Sequence, residues 1–405
     1  MASSYTYIDI FAGCGGLSLG LYNAGWKGLF AIEKSPQAFD TLSHNLIEKK
    51  KHFEWPDWLP KHALDINVVI KKYSGQLKNL QGKVTMIAGG PPCQGFSLAG
   101  QRNENDARNK LINSYLKFVK LVKPDMIFFE NVKGFTMKFK NNAQKGKKYS
   151  QIVTKKLDSI GYNVFGKLVN FGDYGVPQKR TRFILVGIRK DIANSTKEKA
   201  ELFFKKIEAN KFNFLQEKGL KETPTVKEAL SDLITRKKTI KTPDRTGFKS
   251  SFYRKAKYNY QLFARKDVSS EYPNSHSLAK HTKKLIERFE KVQAATRKCK
   301  SINERLKQQL GIHTQVLAPL KSNEQAPTVT SHPDDMIHYR ESRILTVREC
   351  ARLQSFPDWF EFRNKYTTGG KLRKTEVPRY TQVGNAIPPL FGEQAGLILK
   401  ELIYE

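Results

Sequence analysis

The amino-acid sequence predicts an α/β protein, with a mostly parallel, doubly wound sheet joined to a smaller domain of irregular texture. Three observations lead there. Short apolar runs alternate with helix-length amphipathic segments through the first 190 residues, and such βαβ units bury a parallel sheet between helical layers. After Arg189 that rhythm stops, and residues 191–310 turn rich in Lys, Asn, Thr and Ser. Order returns near residue 315 and ends in an amphipathic helix, with Ala395, Ile398, Leu399 and Leu402 on one face, that needs a partner core. A chain of 405 residues is expected to form two domains. Residues 1–190, completed by 380–405, would be one; 191–379 would be the other, with its variable part at about 191–312.

In chain order, YTYIDI (residues 5–10) is a β-branched and aromatic strand that runs into a glycine cluster, Gly13, Gly15 and Gly16. A helix over 17–24 follows, with Gly25 placed to stop it. Residues 29–32 form a second strand ending at Glu33. Ser35 then supplies an N-cap and Pro36 the first helical position, with Ala38, Phe39, Leu42 and Leu46 at helical spacing. Asp65 is placed at the end of a third strand, and residues 84–88 form a buried fourth. Leu111, Tyr115, Phe118, Val119 and Val122 mark one face of a helix that Pro124 ends. Residues 126–129 and 183–188 (FILVGI) complete the strand series.

Composition narrows the function. The chain carries 71 Lys+Arg against 38 Asp+Glu, a formal charge of +33. Residues 1–190 contribute +17, 191–310 contribute +15 and 311–405 only +1, so the excess is no basic tail. A basic surface this broad implies a polyanionic partner, most simply nucleic acid. A merely solubilising surface is the plainer alternative. Four cysteines without a CxxC pair exclude a disulfide scaffold and a thiol-rich zinc site, and no metal is expected. No apolar run nears the roughly 18–20 residues of a membrane helix, so no membrane partner and a cytoplasmic location are expected.

Four motifs carry chemistry. DIFAGCGG (residues 9–16) lies between the first strand and helix, where glycines let backbone approach a ligand. Its spelling is not the dinucleotide GxGxxG. With the acids Glu33 and Asp65 following, it suggests a cofactor with ribose and adenine but no pyrophosphate, S-adenosylmethionine. GGPPCQGFS (residues 89–97) sets Cys93 on a rigid turn at the carboxyl edge of the sheet, where α/β ligands bind. FFENV (residues 128–132) ends a strand with Glu130, a candidate general acid. PQKRTR (residues 177–182) precedes the FILVGI strand, and alternation would aim Arg180 and Arg182 at one anionic or carbonyl-bearing ligand. Each has an ordinary alternative: a tight turn, a buried thiol, a solvated carboxylate, a basic strand entry.

Together the motifs resemble the DNA cytosine 5-methyltransferase family, of the bacterial restriction-modification type. DIFAGCGGLSLGL, Glu33, Asp65, GGPPCQGFS, ENV, QKRTR, RILTVRECARLQSFPDWF and QVGNAIPP stand in family order and span nearly the whole chain outside 191–312. The resemblance implies a Rossmann-like S-adenosylmethionine-dependent domain with a target-recognition domain beside it. It implies Cys93 as the nucleophile on cytosine carbon 6, Glu130 holding or protonating ring nitrogen 3, and Arg182 with Arg180 engaging the base carbonyl and orienting the site. Phe11, Gly13, Gly15, Gly16, Glu33, Asp65, Pro91 and Leu111 would line the cofactor pocket, and Asn385 would close it. The family often has an aromatic residue after Glu33, where this chain has Lys34.

The chemistry suits those residue types. Cytosine carbon 5 is a poor nucleophile until a thiolate adds at carbon 6 and makes the ring an enamine. The base must leave the duplex stack to reach such a pocket. The polar segment 97–108 would close over DNA, with Ser97, Gln101 and Arg102 as contacts. The implied partners are double-stranded DNA and, functionally, a cognate restriction endonuclease, with the enzyme a monomer. Transfer to tRNA by the RNA-directed branch is the alternative, but that branch typically carries a Cys-Phe-Thr tripeptide and this sequence has none. A catalytically dead DNA-binding module would have no reason to keep Cys93, Glu130 and both arginines.

Overall fold

A computed structural model describes residues 5–92, 110–137, 148–298, 308–309, 318–370, 372 and 375–404. The chain divides into two compact units. The first comprises Met1–Phe171, Thr181–Phe214 and Ile387–Glu405; the second comprises Gly172–Arg180 and Leu215–Ala386.

A six-stranded sheet organises the first unit. Its strands are β1 (Thr6–Ile10), β2 (Lys27–Ile32), β3 (Met86–Ala88), β4 (Met126–Val132), β5 (Tyr162–Asn170) and, after a two-residue β6 (Gln178–Lys179) belonging to the second unit, β7 (Thr181–Arg189). Their order is β2-β1-β3-β4-β7-β5. The first four run parallel, while β7 is antiparallel to both β4 and β5. β1 and β3 are buried throughout, as central parallel strands require. Ser35 caps the helix Pro36–Leu42 through a hydrogen bond from Ala38 N–H at 3.3 Å, with Pro36 in its first turn.

Three features depart from the sequence expectations. The described sheet has no strand at Asp65, which instead N-caps the helix Ile66–Lys72 by accepting from Asn67 N–H at 2.8 Å. Strand β5 has exposed and half-buried positions on an edge, so it lacks the apolar run by which its neighbours are read. The texture break near residue 190 is not the edge of the unit. Helix Lys197–Glu217 packs Phe203 against Phe128 (centroids 6.1 Å apart) and Phe204 against Phe165 (5.5 Å), beneath a lysine-rich exterior.

The C-terminal helix Pro389–Tyr404 buries Ala395, Ile398, Leu399 and Leu402 in the first unit. It lies against helix Gly16–Asn23 along a seam of small residues. A Cβ on Gly20 would stand 2.6 Å from backbone atoms of Pro389, Gly392 and Glu393. Trp26 Nε1–H crosses to the Gly396 carbonyl at 2.8 Å.

The second unit is held by buried charge. Arg352 donates to Asp358 at 2.6 Å and to Asp232 at 3.0 and 3.1 Å, all fully buried. Arg343 forks onto Glu349 through two bonds of 2.7 Å and reaches Glu341 at 2.7 Å. Burial alone would raise the Glu349 carboxyl, but Arg343 overcomes it and holds the group far below the usual carboxylate range. His338, Glu341 and Glu349 bring metal-ligand atoms within 4.8 Å of one another, yet the Arg343 guanidinium already supplies the cation to both carboxylates. No helix of the described residues is long and apolar enough to cross a membrane.

Overpacking a tight seam costs about 1–3 kcal/mol. Gly20→Val should therefore lower the stability read by urea unfolding by at least that much, because rigid backbone faces the new methyl groups. An unchanged midpoint would show that the seam yields.

Candidate active site

The chain leaves β1 through a turn that ordinary side chains resist. Phe11 sits at φ 61°, Gly13 at 57° and Gly15 at 91°. A left-handed Phe is costly and persists only where its surroundings hold it there. Space above Gly13 is open, with nothing within 4 Å of where a Cβ would stand. Gly15 is the opposite case, since a Cβ there would meet Leu46 Cδ1 at 2.9 Å. Gly16 opens the helix Gly16–Asn23.

Glu33, just past β2, reaches this turn. It accepts from Gly13 N–H at 2.9 Å and from Ser35 N–H at 2.7 Å. Burial raises its pKa, and those N–H donors oppose the rise. Asp65 accepts from Asn67 and pairs with Lys34 Nζ at 2.9 Å. Burial raises the Asp65 pKa too, but Lys34 and Asn67 outweigh it and the net shift is downward. Lys34 thus neutralises Asp65. Ser114 donates to Asn67 Oδ1 at 2.6 Å, tying the helix that carries half-buried Leu111 to this corner. An open glycine turn flanked by two carboxylates fits a nucleoside carrying ribose hydroxyls and an amine.

Beneath the turn, Asp9 is buried and accepts from Ser18 Oγ–H at 2.5 Å. Its pKa is raised to about 7, chiefly by burial, with the Ser18 hydrogen bond opposing the rise and Glu33 adding to it.

The second turn follows β3. A Cβ on Gly89 would lie 2.0 Å from the Ile10 carbonyl oxygen, and one on Gly90 would lie 1.9 Å from that of Glu130. Only glycine fits at either place. Asn131, buried at the end of β4, donates from Nδ2 to the Pro91 carbonyl at 3.1 Å. The start of the Pro-Pro turn is therefore pinned to the strand that carries Glu130. Arg182 on β7 faces Val132 across the antiparallel ladder, one diagonal from Glu130. Its Nε lies 3.0 Å from Glu130 Oε1, with the two side chains 13% and 16% exposed. Burial lowers the Arg182 pKa, and Glu130 counteracts it.

Sequence comparison agrees with this geometry. The model of C-5 cytosine-specific DNA methylases matches residues 5–400. The chain belongs to that family.

Among relatives, the methylase is 31% identical to the type II methyltransferase M.DdeI of Desulfomicrobium norvegicum, over 95% of this chain and 86% of that one. It is 28% identical to the type II methyltransferase M.XorII of Xanthomonas oryzae pv. oryzae, over 96% and 83% of the two chains. In fold it resembles a protein assigned as a DNA modification methyltransferase of a prophage (E. coli), with TM-score 0.67, 24% identity and coverage of 99% and 100%. It also resembles the S. pombe Dnmt2 methyltransferase, with TM-score 0.52, 14% identity and coverage of 98% and 99%.

Not every expected site residue lies in the first unit of the methylase. Arg180, 1% exposed, donates from its two terminal nitrogens to the carbonyls of Val329 (3.1 Å) and Gly384 (2.8 Å), all in the second unit. Arg180 and Arg182 therefore take different partners. Asn385 is exposed at the end of helix Arg379–Asn385, also in the second unit. Cys93, Ser97, Gln101 and Arg102 lie outside the described residues. Asn131 and the Asp9–Ser18 pair were not singled out from sequence. Both lie inside motifs already noticed, at positions whose roles depend on a contact from another strand or helix.

Two outcomes follow from these bonds. Asn131→Ala removes the Pro91 anchor, and loss of a buried hydrogen bond costs about 1–3 kcal/mol. Methyl transfer should fall at least tenfold while the urea-unfolding midpoint moves by no more than that one hydrogen bond accounts for, which turnover and unfolding measurements would separate; collapse of the midpoint would mean general unfolding. The folded state binds the Asp9 proton more tightly than the unfolded chain, whose carboxyl titrates near 4. That contribution is complete below about pH 4 and is lost as the pH rises toward 7. Asp9→Asn should flatten the decline in urea midpoint across this window. Parallel profiles for parent and variant would refute the assignment.

Proposed function

We propose that this methylase transfers a methyl group from S-adenosylmethionine to carbon 5 of a flipped-out cytosine in a specific duplex DNA sequence. It acts as a monomer in the cytoplasm and protects DNA against a cognate restriction endonuclease. The observation that carries the reading is the convergence of the Pro-Pro turn and Glu130, fixed by Gly90 and Asn131.

Phe11, Gly13, Gly15, Gly16, Glu33, Asp65, Pro91 and Leu111 hold the cofactor, joined by Asn385. When bound, S-adenosylmethionine supplies a methyl group on a sulfonium centre. The Cys93 thiolate forms a bond to carbon 6 of cytosine while Glu130 holds or protonates ring nitrogen 3, drawing electrons from the ring. Arg182 orients Glu130, to which it is already paired. After carbon 5 gains its methyl group, the hydrogen there leaves as a proton and the bond from sulfur to carbon 6 breaks. Arg180 contributes by shaping the backbone around Gly384, next to Asn385. Ser97, Gln101 and Arg102 contact the DNA, and residues 191–312 read its sequence.

A substrate with fluorine at carbon 5 offers no proton to release, so elimination should stall with enzyme and DNA bonded through Cys93. The adduct should need S-adenosylmethionine, form only within the recognised sequence and survive boiling in detergent. Cys93→Ser should abolish it, whereas replacement of Cys14, Cys299 or Cys350 should not. A heat-stable adduct in the Cys93 variant would disprove the nucleophile. Labelled methyl transferred to tRNA and not to duplex DNA would overturn the substrate.

A further inference from the structure

The second unit contains an antiparallel ribbon of β8 (Thr239–Lys241) and β9 (Lys249–Ser251) joined by the loop 242–248. Its register sets Lys241 directly opposite Lys249. Both are exposed, and like charges at directly opposed positions destabilise a ribbon. Arg236, Lys237 and Lys238, all exposed, lead into the ribbon, and no acid among the described residues pairs with them or with Lys241 and Lys249. A third segment joins at the bridge between Lys249 and Leu278 and carries exposed Lys280, whose Nζ lies 5.1 Å from the centre of the Phe248 ring.

One acid is present in the loop, and it is occupied elsewhere. Asp244 binds the Arg379 guanidinium and accepts from Tyr366 O–H at 2.9 Å. Beside it Arg245 lies between two rings, 3.6 Å from the centre of Phe248 and 4.8 Å from that of Tyr366. Arg379 covers Tyr366 in turn at 4.2 Å. The result is a stack of Phe248, Arg245, Tyr366 and Arg379, with Gly247 at φ 79° completing the loop. Stacking fixes the loop before any partner arrives, so binding there costs little ordering entropy.

A ribbon that collects uncompensated cations and commits its single loop acid to Arg379 and Tyr366 is built for a polyanion. We propose that the β8–β9 ribbon grips the phosphate backbone of duplex DNA, with Lys241 and Lys249 each neutralising a phosphate. The Phe248–Arg245–Tyr366–Arg379 stack positions the loop between them. This rests on the reading that the methylase acts on duplex DNA. It assigns the ribbon to affinity and register, and leaves base reading to other parts of the second unit.

The test is binding of the full-length protein to a labelled duplex containing its methylated sequence, across a series of salt concentrations. For each phosphate that a variant no longer neutralises, the slope of log affinity against log salt falls by about 1. K241A/K249A should lower that slope by roughly 2 and weaken binding about uniformly across sequences. K241R/K249R, which keeps both charges, should retain the parental slope. The methylated sequence, read by bisulfite sequencing, should be the same in all three proteins. A parental slope in the alanine variant would overturn the proposal while leaving the methylase reading intact. A changed methylated sequence would also overturn it, by making the ribbon a base reader. Failure of the parent to bind duplex DNA would take both readings down together.

Discussion

The site depends on one steric constraint at the carboxyl edge of the sheet, the approach of two glycines to two carbonyl oxygens. Gly89 passes the end of β1 and Gly90 passes the end of β4 at separations that leave no volume for a Cβ. β3 lies between those strands in the sheet, so its exit turn has to pass between the turn after β1 and Glu130. With any larger residue the turn would ride outward, and the Pro-Pro segment would lose its bond from Asn131. Placement of the Pro-Pro turn is thus settled by backbone sterics before any side-chain chemistry is considered.

Each unit solves a different packing problem. The first buries apolar strands and closes helix on helix along the Gly20, Gly392 and Gly396 seam, where Gly20 meets the backbone of the facing helix. The second has short strands and few long helices, and it buries arginine–carboxylate clusters in place of a large sheet. Such clusters are weak sources of net stability but severe to break, since a lone buried charge costs about 3–5 kcal/mol. They fix one arrangement of loops where apolar burial would permit several.

Much of the first unit is legible in sequence because its signals are local. The β1 turn announces itself by glycines, the Pro36 helix by its cap, and the C-terminal helix by its apolar face. Missed features depend on partners distant in sequence. Asp65 reads as a strand-end acid, yet its fate is decided by Asn67 and by Lys34, 31 positions earlier on another element. Helix Lys197–Glu217 hides two phenylalanines among lysines, because its exterior is solvated and only one stripe meets the sheet. Edge strand β5 lacks the buried pattern that makes central strands visible.

The QKRTR segment shows the same limit at the scale of one residue. Alternation along a strand places residues two apart on one side, which is why Arg180 and Arg182 read as sharing a ligand. That rule holds only while the strand is continuous. Here β6 ends at Lys179 after pairing with Ala326–Pro327, and β7 begins at Thr181 in a different sheet. Arg180 stands at the break. Its guanidinium therefore goes with Gln178 into the second unit, where Gln178 bonds Leu353 and Val329 and Arg180 bonds Val329 and Gly384. Arg182 starts the next strand and meets Glu130. Two arginines two positions apart thus serve different architectures: one holds the backbone that leads to Asn385, and the other pairs with Glu130. A motif that reads as one anion site is the point where the chain passes from one unit to the other, and each arginine takes the role of the unit it faces.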